Sequence, residues 1–261
     1  MSIFLWQKIE NMKMWNIQVA NAYLWENKVW PEEPITTPWI YHNPSLGLIS
    51  LSSDWENWIT IADKNSWASV VWNEGDALTN ANCGNYYQWG NNYGFSFNWL
   101  TDISKTRVDA STYWPWNYYS SSIFIKSGDY DRSTVQNDNL WWNTTNTLVA
   151  RQGPCNSGFH VPTLTEVESL IALITWWVIS IEEMHWYLKL PKGWWYDSNA
   201  EKKSRNLSSS VRTSSPNWKK SISFDDLSIL TTIRGCAVNI RPFKNEPVVP
   251  TSGRTILYQL N

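Results

Sequence analysis

The sequence predicts an α+β fold of short mixed or antiparallel strands, one or two helices and extensive loops. Short apolar runs separated by Asn, Ser and Gly turn signals occupy residues 45–150, a pattern typical of short strands. A single clear helix signal follows them. Strands and helices do not alternate along the chain as they do in a parallel α/β sheet. These observations together favour a sheet-based α+β domain.

The chain is predicted to have three parts. Residues 1–40 form a stub with a short hairpin around Trp25-Glu26-Asn27 and a Pro-rich connector at 31–38. Residues 41–245 form the main domain, and residues 246–261 form a polar tail.

The helix begins at a capping box, Thr163-Leu-Thr-Glu166. In this motif the Thr and Glu side chains accept hydrogen bonds from backbone N–H groups at the helix start. Five apolar residues then recur at helical spacing and predict a face packed on the sheet: Leu164, Val167, Leu170, Ile171 and Ile174. Further strands are predicted at 188–190, 221–224 and 237–241.

Charge and cysteine content exclude several classes of protein. A formal charge of −2 provides no basic field for nucleic acid. Three widely separated cysteines, Cys83, Cys155 and Cys236, fit neither a zinc ribbon nor a disulfide-rich scaffold. No apolar run has membrane-spanning length, and the first residues do not form a signal peptide. We expect an intracellular protein or the end of a longer exported chain.

Catalytic signatures are sparse. The chain has three histidines, His42, His160 and His185, and no Gly-x-Ser-x-Gly elbow that would position a nucleophile. His160 stands just before the helix and is predicted to hydrogen-bond neighbouring backbone. The sequence therefore disfavours a nucleophilic hydrolase, and we predict no enzyme activity.

Metal signatures are also weak. Asp129-Tyr-Asp131 and Asn137-Asp-Asn139 place oxygen ligands at alternate positions, which a calcium site could use. Neither matches an EF-hand loop, and Asp and Asn in loops usually form turns. We predict no cofactor, with calcium as the alternative.

Aromatic residues interleaved with Asn and Ser favour binding. Tyr, Ser, Asn and Trp combine rigid contact area with adaptable hydrogen bonding. Tyr86, Tyr87 and Trp89 have a second interpretation, as core residues. The stretch 208–232 lacks strong periodicity and is predicted to be exposed.

Tryptophan is abundant and glycine scarce, with 21 and 11 of 261 residues, whereas glycine normally makes up about 7% of a protein. Asp54-Trp55 lies between apolar runs where Asp-Gly would signal a hairpin. We predict that some of these tryptophans are UGA codons that the source organism decodes as glycine. A genuine Trp-rich surface is the alternative.

Four segments carry a family resemblance: 58–65, 82–95, 153–166 and 240–244. They resemble the Fibrobacter succinogenes major paralogous domain, and the resemblance covers roughly residues 40–245. It implies a C-type-lectin-like fold, in which Trp89, Cys155, His160, Thr163 and Glu166 belong to structural motifs.

Some relatives are variable proteins of diversity-generating retroelements, whose C-terminal segment varies on a fixed scaffold. The resemblance implies a variable segment at 211–232, a protein or glycan partner, and a place at the cell surface or outside the cell. The projected ligand-binding residues are Val211, Arg212, Thr213, Asn217, Trp218, Lys219, Asp225, Asp226, Ser228, Thr231 and Thr232.

The resemblance also separates the tryptophans. It favours glycine at 67, 114 and 116, and genuine tryptophan at 58, 89 and 141. Pro242 stands where relatives have the cysteine that would bridge to Cys155, and only Cys236 could replace it. Val167 replaces a family tryptophan, and the sugar-reading motifs of calcium-dependent lectins are absent.

We therefore expect a non-enzymatic binding or display module, with Trp218 and Arg212 as its anchors. If Trp218 is one of the glycine positions, Arg212 alone remains. One alternative is a structural adhesin tip at the cell surface. Another is an enzyme on a scaffold like that of formylglycine-generating enzymes, which use a cysteine pair where this chain offers Cys236.

Overall fold

A computed structural model describes most of the main domain and parts of both ends of the chain. The described residues are 13–14, 17–18, 22–24, 27–30, 39–54, 56–98, 100, 102–106, 120–126, 138–142, 152–175, 181–203, 210–215, 220–223, 229–231, 234–249 and 257–259.

These residues form strands and helices that are numbered in chain order. The strands are β1 (Lys13–Met14), β2 (Ile17–Gln18), β3 (Ala22–Leu24), β4 (Asn27–Trp30), β5 (Trp39–Asn43), β6 (Leu48–Ser52), β7 (Ile59–Ala62), β8 (Tyr86–Gln88), β9 (Asp102–Ser104), β10 (Ile123–Ile125), β11 (Phe159–His160), β12 (Trp195–Tyr196), β13 (Lys202–Lys203), β14 (Ser210–Arg212), β15 (Lys220–Ser223), β16 (Ile229–Thr231), β17 (Ala237–Asn239), β18 (Phe243–Lys244) and β19 (Leu257–Gln259). The helices are α1 (Asn80–Cys83), α2 (Leu164–Thr175) and α3 (Ile181–Tyr187).

The first strands form two small antiparallel pairs, β1 with β2 and β3 with β4. Leu24 pairs with Asn27, so Trp25 and Glu26 connect β3 to β4. This arrangement confirms the hairpin predicted there.

A six-stranded antiparallel sheet forms one half of the scaffold, in the order β11-β18-β7-β6-β5-β19. Strand β5 spans the boundary predicted at residue 40, and β19, from the predicted tail, pairs with it. The sheet contributes Ile40, Ile49, Leu51 and Ile61 to the largest buried cluster.

Helix α2 supplies the opposite side of that cluster. Val167, Leu170 and Ile174 are buried there, as their helical spacing predicts. At the helix start, Thr163 N donates to Glu166 Oε2 at 2.7 Å, and Glu166 N donates to Thr163 Oγ1 at 3.2 Å. The predicted capping box is therefore confirmed.

The strand predicted at 188–190 is wrong. Leu188 and Leu190 follow the end of α3, where Leu188 N donates to Met184 O and Leu190 N to His185 O. Lys189, between them, adopts a left-handed φ of 53° and reverses the chain. Both leucines are buried in the same large cluster as the apolar face of α2, here called the α2 cluster. The alternation of apolar residues at 188–190 therefore reflects the end of a helix and not a strand.

The second large sheet has seven strands in the order β13-β12-β17-β14-β15-β16, with β8 also paired to β17. The β14–β17 pair is parallel, and the other pairs of this sheet are antiparallel. Strands β15 and β17 confirm the strands predicted at 221–224 and 237–241, although both are shifted or shortened. The two sheets and the helices confirm the α+β class.

Candidate functional site

A framework of amide side chains, two of them fully buried, lies where β8 leaves the seven-stranded sheet. Tyr86, Tyr87 and Gln88 are all buried in β8, and the chain then turns at Gly90, whose φ is 76°. A Cβ at this position would approach Leu140 Cδ1 to 2.6 Å, and the left-handed φ adds strain for any other residue, so the turn favours glycine. Three amides at this turn bond other segments of the chain: Gln88, Asn91 and Asn92, here called the amide frame.

Gln88 bonds two separate parts of the chain. Its Nε2 donates to Ile125 O at 2.8 Å and to Gly235 O at 2.6 Å, and its Oε1 accepts from Ile125 N at 3.1 Å. The side chain therefore pairs with β10 as a strand would, and it also holds the chain that leads into β17.

The two asparagines extend the same arrangement. Asn91 Nδ2 donates to Ser121 O, and Asn91 Oδ1 accepts from Ser121 N, both at 2.9 Å. Asn92 Oδ1 accepts from Trp141 Nε1 at 2.8 Å. The two asparagines thus hold the segments 120–126 and 138–142 to the turn after β8.

Trp89 lies between the frame and the chain after β16. The Arg234 guanidinium stands 4.0 Å from the centre of the Trp89 ring, close enough for a cation–π interaction. Trp89 N donates to Arg234 O at 3.1 Å. Tyr86, Tyr87 and Trp89 are all buried, which confirms the interpretation of these aromatics as core residues.

Asp138, one of the candidate calcium ligands, pairs with Arg234 instead. Its Oδ1 accepts from Arg234 Nη2 at 2.6 Å, so an arginine neutralises the carboxylate. Asp129, Asp131 and Asn137 lie outside the described residues. Within the described part of the chain, no three His, Cys, Asp or Glu side chains cluster as metal ligands would.

The projected binding segment is fixed to the scaffold at its start. After β14, Ser214 N donates to Pro162 O at 2.8 Å, and Ser215 Oγ accepts from Leu164 N at 2.9 Å. The second bond satisfies a free N–H of the first turn of α2. The segment therefore starts from the capped end of the main helix.

The chain just beyond the segment is fixed as well. Arg212 Nη2 donates to Cys236 O at 2.6 Å, Gln88 donates to Gly235 O, and Arg234 is held by Trp89 and Asp138. Three consecutive residues, 234–236, are thus held by side chains from distant parts of the sequence.

Three of the projected binding residues are buried. Val211 belongs to the α2 cluster, Thr213 is fully covered, and Arg212 is only 1% exposed. Arg212 was predicted as a surface anchor, and its burial revises that role. A buried guanidinium needs hydrogen-bond acceptors, and here the Cys236 carbonyl is one of them.

The remaining projected residues lie in the chain between these two anchored ends. Asn217, Trp218, Lys219, Asp225, Asp226, Ser228 and Thr232 lie outside the described residues, and of Thr231 only the strand is described. Strands β14, β15 and β16 pair antiparallel, so the chain enters β15 at Lys220 and leaves it at Ser223, at the opposite end of the strand.

His160 is bonded within the structure, but its ring nitrogens bond side chains and not the neighbouring backbone that the sequence predicted. His160 Nε2 lies 2.8 Å from Glu166 Oε1, and Nδ1 lies 2.9 Å from Asn245 Oδ1. Burial opposes the charged ring, but the hydrogen bond and charge of Glu166 outweigh it and raise the pKa of His160. Burial likewise opposes a charged Glu166, yet His160 and Thr163 lower the pKa of Glu166.

All three cysteines are buried and unpaired, so Cys236 does not bridge to Cys155. Burial raises the pKa of Cys83 to about 12 and that of Cys236 to about 11. Burial also raises the pKa of Cys155 well above its usual range. These thiols are therefore protonated at neutral pH and are poor nucleophiles in this state.

Among the described helices, none is both long and apolar enough to cross a membrane. Comparisons of the chain with protein-family models, with curated proteins and with solved structures found no match. Function is therefore argued from the geometry of this chain.

Proposed function

We propose that this protein is a non-enzymatic binding or display module with a C-type-lectin-like fold, whose segment at 211–232 contacts a macromolecular partner. The proposal rests on a difference within this segment: its ends are bonded to the scaffold, whereas its strands β15 and β16 lie at the outer side of the sheet. Ser214, Ser215 and residues 234–236 are bonded to the scaffold, whereas β15 and β16 are the last two strands of the sheet.

This arrangement suits a surface whose side chains change while the fold stays constant. The bonds that hold the ends involve backbone atoms of 214 and 235–236, side chains of the scaffold, and the side chains of Arg212 and Ser215 at the start of the segment. Substitutions at 216–232 leave those bonds intact. Binding residues in proteins are often placed on loops that a rigid scaffold holds in position.

The buried start of the segment narrows the proposed contact residues to two groups. Asn217, Trp218 and Lys219 belong to the connection between β14 and β15, and Thr231 and Thr232 come at and after the end of β16. Asp225, Asp226 and Ser228 belong to the connection between β15 and β16. Trp218 remains the proposed aromatic anchor. The buried Arg212 supports the segment through its hydrogen bond to the Cys236 carbonyl.

A selection experiment tests the display function without knowledge of the natural partner. One library randomises positions 217–219, 225, 226 and 228, and a control library of equal size randomises Gln88, Asn91 and Asn92. Both are displayed on yeast, sorted for folded protein and selected against purified streptavidin. We expect folded binders from the first library and loss of folded protein from the second.

Equal loss of folded protein from both libraries would refute the assignment of the segment as a display surface. The retroelement part of the proposal has its own test in the genome. It requires an adjacent reverse-transcriptase gene and a template copy of the 3′ coding segment.

A further inference from the structure

The chain makes a tight turn at residues 65–68, close to the amide frame. Ala68 N donates to Asn65 O at 3.0 Å, so Ser66 and Trp67 are the two central residues of a β-turn. Trp67 has φ of 63°, and Ser66 is not among the residues with positive φ. A positive φ at the third position alone is typical of a type II turn, which requires glycine or asparagine there.

The conformation of this turn is imposed by its surroundings. Ser66 N donates to Ile240 O at 2.8 Å, and Asn85 N donates to Ser66 O at 3.1 Å. Ser66 Oγ donates to Pro154 O and Asn65 Nδ2 to Cys83 O, both at 3.0 Å. The turn therefore stays in place whatever side chain stands at position 67.

A tryptophan fits this position poorly. Left-handed backbone is costly for residues with a Cβ, and a bulky residue there is a genuine outlier. The Trp67 side chain is 68% exposed, so little packing offsets that cost. Gly47 and Gly90, with φ of 68° and 76°, show the residue that this chain uses at comparable turns. Lys189 and Ala200 also have positive φ, but neither carries a bulky ring.

We infer that the native protein has glycine at position 67 and that the triplet translated as Trp67 is a UGA codon decoded as glycine. The inference rests on backbone geometry and is independent of tryptophan abundance. It also separates Trp67 from Trp58, Trp89 and Trp141, which are buried in clusters of apolar side chains. Glycine at 67 removes an exposed indole and weakens the case for a Trp-rich binding face.

The first test compares the stability of Trp67→Gly and Trp67→Ala in the full chain. Both variants remove the indole, but only glycine relieves the left-handed conformation. We expect the unfolding equilibrium constant of Trp67→Gly to be roughly tenfold smaller than that of either Trp67→Ala or the tryptophan form. Chemical denaturation measures it. A glycine variant no more stable than the alanine variant would overturn the geometric argument.

The second test reads the residue directly in protein isolated from the native organism. Trypsin releases residues 65–105 as one peptide, because Lys64 and Lys105 flank a stretch without Lys or Arg. This peptide contains Trp67 and the buried Trp89, so it carries its own control. Tandem mass spectrometry should find glycine at 67 and tryptophan at 89. Tryptophan at 67 would refute the inference.

Discussion

The amide frame and the segment at 211–232 both adjoin the seven-stranded sheet and both contain polar side chains, but they differ in how they are held to the scaffold. Gln88 and Asn91 are completely buried; both bond the segment 120–126, and Gln88 also bonds Gly235. Beyond Ser215, strands β15 and β16 pair only within the outer part of the sheet. The role of a polar residue therefore depends on the hydrogen-bond partners that the fold places beside it, and not on its residue type alone.

The difference has an energetic consequence. A buried donor or acceptor that loses its partner costs about 1–3 kcal/mol, and Gln88 and Asn91 each pair with several backbone groups. Substitutions at solvent-exposed positions usually change stability by about 0.5 kcal/mol or less. The frame should therefore tolerate few residues and the segment many, which is the behaviour that a display module needs.

The largest effect is expected when Gln88 is replaced by alanine. The change leaves Ile125 N–H, Ile125 C=O and Gly235 C=O without their amide partner. We expect a loss of at least about 3 kcal/mol in the free energy of unfolding, measured by urea denaturation.

Asn199→Ala is the matched control, because Asn199 is exposed. It should change the free energy of unfolding by less than about 0.5 kcal/mol. If Gln88→Ala cost no more than this control, the frame and the segment would not differ in the way proposed.

Local signals in the sequence predicted local structure well. The capping box was predictable because Thr163 and Glu166 are three residues apart and bond each other. The buried face of α2 followed from helical periodicity, and the β3–β4 hairpin from its short connection. In each case the residues that decide the structure are neighbours in the chain.

The candidate site depends on contacts that sequence spacing does not reveal. Gln88 bonds residues 37 and 147 positions away, and Arg212 bonds a carbonyl 24 positions away. The available signal was weak: a glutamine placed between buried aromatics in a strand must find hydrogen bonds inside the protein. The strand predicted at 188–190 was wrong because short apolar alternation also fits a helix end.

A smaller, pH-dependent effect is expected at the junction between scaffold and segment. The pKa of His160 is raised, so its contribution is complete below about pH 6.5 and is lost as the pH rises through the folded value. The pKa of Glu166 is lowered, so its contribution is complete above about pH 4.5 and is lost as the pH falls through the folded value. The pair should stabilise the protein most between these two limits.

Thermal unfolding of the parent and of His160→Gln measures this contribution. The difference in melting temperature should be larger at about pH 5.5 than at about pH 8.5. Asn199→Ala should keep the pH dependence of the parent. Because Glu166 caps the helix whose Leu164 N–H bonds Ser215 Oγ, the protection factors of the Leu164 and Ser214 amides, corrected for the intrinsic exchange rate at each pH, should fall at the higher pH. An equal difference at both pH values would contradict the proposed coupling.

The smallest effect is expected inside the segment, and it locates the boundary of the scaffold. Trp218→Ala should change the free energy of unfolding by less than about 0.5 kcal/mol, because the proposal places Trp218 at the surface beyond the last anchored residue, Ser215. Arg212→Ala, only six positions earlier, removes a buried hydrogen bond and should cost about 2–4 kcal/mol. Urea denaturation of the two variants side by side measures both values. A loss of about 3–5 kcal/mol for Trp218→Ala would identify a buried core residue, and the boundary between fixed scaffold and display surface would then have to move into β15.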